Sequence, residues 1–194
     1  DPHYRTFDGF RHHFQGPYTY VLTQGHNLLD SQVPLLVRGK NIRRGASKRV
    51  SVLDQMYVDV YGVSVRFLQK NVVLVNGERV TPPLSPVRGL TITMNSKEVQ
   101  LSTDFGLTVR FDGKIRGEIE LPSTYRHSVR GLCGNYDGIT GNEYMKPDGT
   151  LVRSLNEFGE SWRTNDRVGD GLEISEVQTA VHVHRREVET DPES

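Results

Sequence analysis

The feature that most constrains this chain is a period of two. From residue 18 to residue 121 it runs as short β-branched and aromatic stretches, alternately apolar and polar, punctuated by tight-turn residues. Met56, Val58 and Val60 alternate with Tyr57, Asp59 and Tyr61, which sends the two sets to opposite faces of a strand. The same reading gives strands at 18–23, 33–37, 49–53, 63–67, 90–94, 98–102, 107–111 and 115–121. Residues 72–80 read as a hairpin, because Asn76-Gly77 tolerates the positive φ angles of a two-residue turn; Gly62 and Asp112-Gly113 mark further turns. Helical periodicity is nearly absent before residue 154. About ten short strands with this spacing predict an all-β, antiparallel sandwich of two sheets. One short helix follows: Ser154 and Glu157 form a capping box, and Phe158 and Trp162 share a face that pins the helix to the sandwich.

At 194 residues the chain suits one domain of residues 1–166 followed by an extension over 167–194. Gly169-Asp170-Gly171 marks the break; beyond it isolated valines mix with Glu, Arg and His, and His182 and His184 read as parts of a solvated, weakly ordered tail. Charge balances at 24 basic against 24 acidic residues, which argues against nucleic acid or an anionic membrane as main partner. The basic run over 38–49, with Lys40, Arg43, Arg44 and Lys48, reads as a solvated loop. No apolar window reaches the length of a membrane span. The chain carries no leader and opens inside a motif, so it reads as a piece of something longer, with neighbouring domains.

Chemistry concentrates in residues 131–143, which hold four glycines and the only cysteine, Cys133. Asn135, Asp137, Asn142 and Glu143 are spaced so that a tight loop turns their oxygens toward one point, as a hard cation such as Ca²⁺ requires. A further carboxylate is needed, and Asp8 in Thr6-Phe7-Asp8-Gly9 is the nearest donor in kind. The competing reading is a glycine-rich turn whose carboxylates face water. His12 and His13, with His3 nearby, suggest zinc, but neighbours on a strand point to opposite faces; one buried and one exposed ring is the expectation. Asp104 and Asp112 are an imaginable acid–base pair, and His127 lies six residues from Cys133, yet no nucleophile elbow or phosphate-cradling loop accompanies them.

Several stretches carry a family resemblance. Asp1-Pro2-His3-Tyr4-Arg5-Thr6-Phe7-Asp8-Gly9, Phe14-Gln15-Gly16 and Tyr20-Val21-Leu22 open it. Val73-Leu74-Val75-Asn76-Gly77-Glu78 and Ser102-Thr103-Asp104-Phe105-Gly106-Leu107 continue it, and Gly131-Leu132-Cys133-Gly134-Asn135-Tyr136-Asp137-Gly138 with Glu157-Phe158-Gly159-Glu160-Ser161-Trp162 close it. Over residues 1–166 the chain resembles a von Willebrand factor type D domain of the adhesive and mucin-like kind. It departs in cysteine: Pro17 and Arg130 stand where the family commonly has cysteines, so the disulfides that each contribute about 2–4 kcal/mol in relatives are missing.

The resemblance implies a structural Ca²⁺ held by Asp8, Asn135, Asp137, the carbonyl of Ile139, Asn142 and Glu143; the family often has Asp at the last position, and Glu143 reaches one methylene further. It implies a non-enzymatic, secreted or ectodomain module for adhesion or matrix and mucin-type assembly, with extracellular proteins or copies of itself as partners. A module that binds a secreted ligand, such as a growth factor of the bone morphogenetic protein type, is the alternative, and part of a secreted enzyme a remoter one. In some relatives the Asp1–Pro2 bond cleaves itself; here an intact extended start is the expectation.

Overall fold

The computed structural model describes residues 3–46 and 50–164. In chain order the strands are β1 (Tyr4–Arg5), β2 (Arg11–His12), β3 (Thr19–Gly25), β4 (Leu35–Arg44), β5 (Val50–Val60), β6 (Val63–Phe67), β7 (Val73–Val75), β8 (Glu78–Val80), β9 (Leu84–Val87), β10 (Leu90–Met94), β11 (Val99–Thr103), β12 (Thr108–Phe111), β13 (Gly117–Glu120) and β14 (Val129–Arg130), followed by the helix α1 (Leu155–Ser161). Every pairing is antiparallel. A seven-stranded sheet runs β14-β3-β4-β5-β6-β7-β8, a five-stranded sheet runs β13-β12-β11-β10-β9, and β1 and β2 form a separate ribbon.

Alternation decides what the sheets bury. Leu90 and Ile92 on β10, Val99 and Leu101 on β11, and Val109 and Phe111 on β12 are fully buried, while the residues between them are more exposed. They share one core with Met56, Val58 and Val60 of β5 and Val65 and Phe67 of β6. Each such side chain contributes roughly 1.5–3 kcal/mol on burial. The hairpin turns follow sequence chemistry: Asn76 and Gly77 have φ of 50° and 82°, and Val75 faces Glu78 across a two-residue loop. Tyr61 and Gly62 repeat the arrangement between β5 and β6, with Tyr61 held by an edge contact to Phe105 and a hydrogen bond to Asp104.

Three readings change. The stretches expected at 49–53 and 56–61 belong to one strand, β5 over Val50–Val60, because Lys40 pairs with Gln55 and Asn41 with Leu53, so Asp54 is the extra residue of a bulge. The basic run is strand rather than loop over residues 38–44: Arg43 and Arg44 at the end of β4 are solvent-exposed, as expected, but Arg38 is buried. Its partners explain the difference: Arg38 and Arg66 lie 5.1 and 4.8 Å from the Tyr57 ring centroid, and Arg38 sits 3.9 Å from the buried Asp59. Asp112-Gly113 opens a five-residue loop rather than a two-residue turn, with Asp112 Oδ1 accepting from the N–H groups of Lys114, Ile115 and Arg116. The additional strands are short: β9 contains Pro86 and lies at a sheet edge, where a missing N–H is tolerated.

The helix forms as its cap predicts. Ser154 Oγ accepts from the Glu157 N–H at 3.2 Å, while the Glu157 carboxylate lies 3.6 Å from Lys146 Nζ. Phe158 is fully buried, Trp162 is 3% exposed, and the Trp162 indole donates to the Met145 carbonyl. The chain then returns to β3 through Val21 N–H to Trp162 O and Thr164 N–H to Thr19 O. Asp1, Pro2, Lys48 and the segment 167–194, including His182 and His184, lie outside the described residues.

Two outcomes follow from this packing. A Cβ on Gly159 would fall 2.2 Å from the buried Phe14 ring. Helix propensity favours Gly159→Ala by about 1 kcal/mol, but overpacking a rigid aromatic costs about 1–3 kcal/mol, so the variant melts lower in a Trp162 fluorescence scan. His12 is 2% exposed, its Nε2–H donates to Leu132 O, and its Nδ1 has no partner. Burial holds its pKa below the usual 6.5, partly opposed by the Leu132 bond and reinforced by His13. The stability owed to a neutral His12 is therefore complete above pH 6.5 and lost as pH falls below it, by up to about 1.4 kcal/mol per pH unit. His12→Asn should melt lower at pH 7.5 yet lose less of its stability than wild type on moving to pH 5.5.

Candidate metal centre

The centre is built where the first hairpin meets the glycine-rich loop. Between β1 and β2 the chain closes on itself: Thr6 N–H donates to Phe10 O, Gly9 N–H to Thr6 O, and Phe10 N–H to Thr6 Oγ1. The loop is fastened to β3 by Leu132 N–H to Val21 O and Cys133 N–H to Leu22 O. Gly131 is required here, since its φ is +133° and a Cβ would lie 2.6 Å from Leu22 O. Phe7 N–H then donates to Cys133 O at 3.0 Å, and the Phe7 ring meets Tyr136 edge-on.

These contacts bring five of the six sequence-predicted ligand residues together. Asp8 accepts from the N–H groups of Asp137 at 3.0 Å and Gly138 at 2.7 Å. Asp137 Oδ2 accepts from the amides of Asn135 and Asn142 at 3.1 and 2.5 Å, and its Oδ1 from the Ile139 N–H. These bonds hold the Asp137 carboxyl below its ordinary range, although burial acts the other way and is the largest single influence. Glu143 lies beside them: Thr6 Oγ1 donates to its Oε1 at 2.8 Å, across 137 residues of sequence. The extra methylene of Glu143 is absorbed by a cradle, because a Cβ at Gly134 would stand 2.3 Å from Glu143 Oε2. From Ile139 only the carbonyl is expected; the residue is 57% exposed, and its extended backbone reaches the cluster through its N–H, which donates to Asp137.

The donor chemistry suits a hard cation. Asn135 Oδ1, Asn142 Oδ1 and Glu143 Oε2 are buried with no hydrogen-bond partner. Each oxygen of the Asp8 carboxylate has one N–H donor and a remaining lone pair. Glu143 is 3% exposed, and burial, then Asp8 and Asp137, push its pKa up to about 7 against the opposing Thr6 bond. Among the described residues no three His, Cys, Asp or Glu side chains make a metal cage by themselves, so amide and carbonyl oxygens are indispensable to this set. A cavity of about 240 Å³ adjoins it, lined by Asn135, Asp137 and Glu143 on one side and by Arg130 and Lys146 on another.

Two positions read differently in three dimensions. Arg130, standing in a common cysteine position, donates to Gln24 Oε1 and Pro147 O and lies 5.8 Å from the Trp162 ring centroid. Cys133 is partly exposed, but burial of its thiol and the nearby Glu143 push its pKa up to about 12, which makes a poor nucleophile. Thr6 and Gly134 were missed as site residues. The first signals nothing in sequence, and Gly134 reads as a turn glycine until Glu143 is seen beneath it.

A glycine-rich oxygen cluster is thus clamped by an N-terminal hairpin to an antiparallel β domain with one short α-helix among the described residues. A family model described as von Willebrand factor type D domain matches residues 1–150. Zonadhesin of Sus scrofa is 41% identical over 170 residues, covering 87% of this chain and 7% of that protein. Alpha-tectorin of Gallus gallus is 36% identical over 168 residues, covering 84% and 8%. The IgGFc-binding protein of Homo sapiens is 37% identical over 169 residues, covering 84% and 3%. The chain belongs to the von Willebrand factor type D family, and it spans less than a tenth of the length of these relatives.

Glu143 gives the centre a test of its own. Replacing its charge while keeping its shape removes repulsion from Asp8 and Asp137, and the Gln oxygen still accepts from Thr6. Glu143→Gln should therefore raise the melting temperature of the chelator-treated chain at pH 8 while weakening Ca²⁺ binding.

Proposed function

We propose that this chain is a non-enzymatic, extracellular calcium-stabilised module for protein–protein adhesion or assembly. The observation that carries the calcium reading is the convergence of Asp8, Asn135, Asp137, Asn142 and Glu143, with three buried oxygens lacking donors and no cationic side chain bonded among them. An ion bound by Asp8, Asn135, Asp137, Asn142, Glu143 and the Ile139 carbonyl would supply the positive charge this cluster lacks. The residues themselves do the positioning: Asp8 orders the loop through two N–H groups, Asp137 orients both amides, and Thr6 fixes Glu143. The role is structural, tying the first hairpin to a loop near residue 140.

Family membership and the adhesive and mucin-like character of the resemblance support the extracellular and adhesive reading, with other extracellular proteins or copies of the chain as partners. Among the described residues no helix is long and apolar enough to cross a membrane. The growth-factor reading calls for an apolar patch; the exposed large apolar side chains, among them Tyr18, Leu29, Met94 and Ile115, come from separate segments. The catalytic reading has one supporting feature, the raised Glu143 beside a cavity. Its other candidates have structural roles, since Asp104 accepts from Tyr61 and Asp112 caps its own loop.

Thermal unfolding, followed by Trp162 fluorescence with Ca²⁺ and then with chelator, checks the proposal. Ca²⁺ at a hundredfold excess over its Kd adds about 2.7 kcal/mol, a rise of several degrees. Asp137→Ala should abolish the shift. Coincident curves, together with no metal by direct elemental assay, would refute calcium binding.

A further inference from the structure

The base of the first hairpin carries a second constellation of donors. Tyr4 faces His12 across the β1–β2 ribbon, their rings stacked 4.8 Å apart against the core side. One residue outward on each strand, His3 and His13 stand opposite each other on the exposed face. Their Nδ1 atoms are 2.9 Å apart and their rings meet at 81°, with centroids 4.8 Å apart. The sequence raised His3, His12 and His13 together and set a shared metal aside because strand alternation separates His12 from His13; cross-strand pairing brings His3 and His13 together.

In a contact of this kind one ring N–H donates to the lone pair of the other; a metal ion that displaces that proton sits off the line between the nitrogens, bonded to both. Metal–imidazole bonds of about 2.0–2.1 Å at an angle of about 90° put the two nitrogens about 2.9 Å apart. The observed separation matches this, as it also matches an ordinary hydrogen bond between the rings. A right angle belongs to adjacent positions of a tetragonal Cu²⁺ or Ni²⁺ site, whereas tetrahedral Zn²⁺ would open the pair to about 3.3 Å. Cu²⁺ also heads the affinity order for nitrogen ligands. Hard Ca²⁺ has no oxygen donor from these two rings. Arg5 and Arg11 occupy the next rung on the same exposed face, so their charge opposes any cation and keeps the affinity modest. Among the described residues no cluster of three His, Cys, Asp or Glu contains the pair, which leaves the other coordination positions to water or to a partner.

We propose that His3 and His13 form a bidentate surface site for a nitrogen-preferring transition metal, Cu²⁺ above Ni²⁺ and Zn²⁺. It is separate in chemistry and position from the oxygen cluster, which lies at the tip of the same hairpin. A bound ion crosslinks the two ends of the hairpin that delivers Asp8.

Titration of the untagged full chain with Cu²⁺ against a glycine competitor tests this, with electron paramagnetic resonance to count bound nitrogens. One equivalent should bind with two imidazole nitrogens in its spectrum, and His3→Ala and His13→Ala should each weaken it at least tenfold. Both side chains are exposed, so the metal-free variants should melt with wild type; His182→Ala/His184→Ala should leave the affinity unchanged, and excess Ca²⁺ should not displace Cu²⁺. Binding that survives either His3→Ala or His13→Ala, that follows His182 and His184, or that Ca²⁺ abolishes would overturn the site.

Discussion

Everything at the functional end of this domain depends on Asp8 reaching the N–H groups of Asp137 and Gly138. The bond joins residues 129 and 130 positions apart, so it closes nearly the whole domain on itself. Phe7 to Cys133 O and Thr6 to Glu143 run alongside it and fix the hairpin in register with the loop. Ordering so distant a pair has an entropic cost that grows slowly with length, which several simultaneous bonds offset better than one. The clamp also concentrates negative charge: Asp8, Asp137 and Glu143 face one another where water is scarce, and Glu143 responds by holding its proton more tightly. A divalent cation bound there, as proposed, would resolve that repulsion.

The scarcity of cysteine is met by packing. The core is continuous from β10, β11 and β12 through β5 and β6 to Phe14, Phe158 and Trp162. Where relatives commonly have a cysteine, Arg130 bonds Gln24 and Pro147 and lies over Trp162, joining β3, the loop and the helix end by other means. The remaining thiol, Cys133, is desolvated and unreactive, which suits a packing role. Buried His12 belongs to the same economy: it bridges Leu132 and the aromatic cluster of Tyr4, Tyr144 and Phe158, and its burial favours the neutral ring.

Local chemistry was legible wherever it acts within a few residues. The Asn76-Gly77 turn, strand β10, the Ser154 cap and the buried face of Phe158 and Trp162 all follow from neighbours in sequence. The division of His12 and His13 into one buried and one exposed ring follows from strand alternation in the same way. Apart from the Asp112 loop, whose bonds are local, errors arose where another strand supplied the partner. Arg38 looks solvated until Tyr57 and Asp59 are placed beside it, and Asp54 looks like a strand break until β4 shows it to be a bulge.

The ligand set divides along the same line. Oxygen donors at 135, 137, 142 and 143 and the glycines between them are composition and spacing, so the sequence by itself offered a hard-cation loop beside the competing reading of a turn whose carboxylates face water. It also determined the antiparallel β class, because a period of two leaves a strand no other way to bury one face. Tertiary structure alone decided that Thr6 orients Glu143, that Gly134 makes room for it, and that His3 meets His13 rather than His12. Those are distances between segments brought together by folding, and cross-strand register, which sets them, is a property of two strands that neither encodes alone.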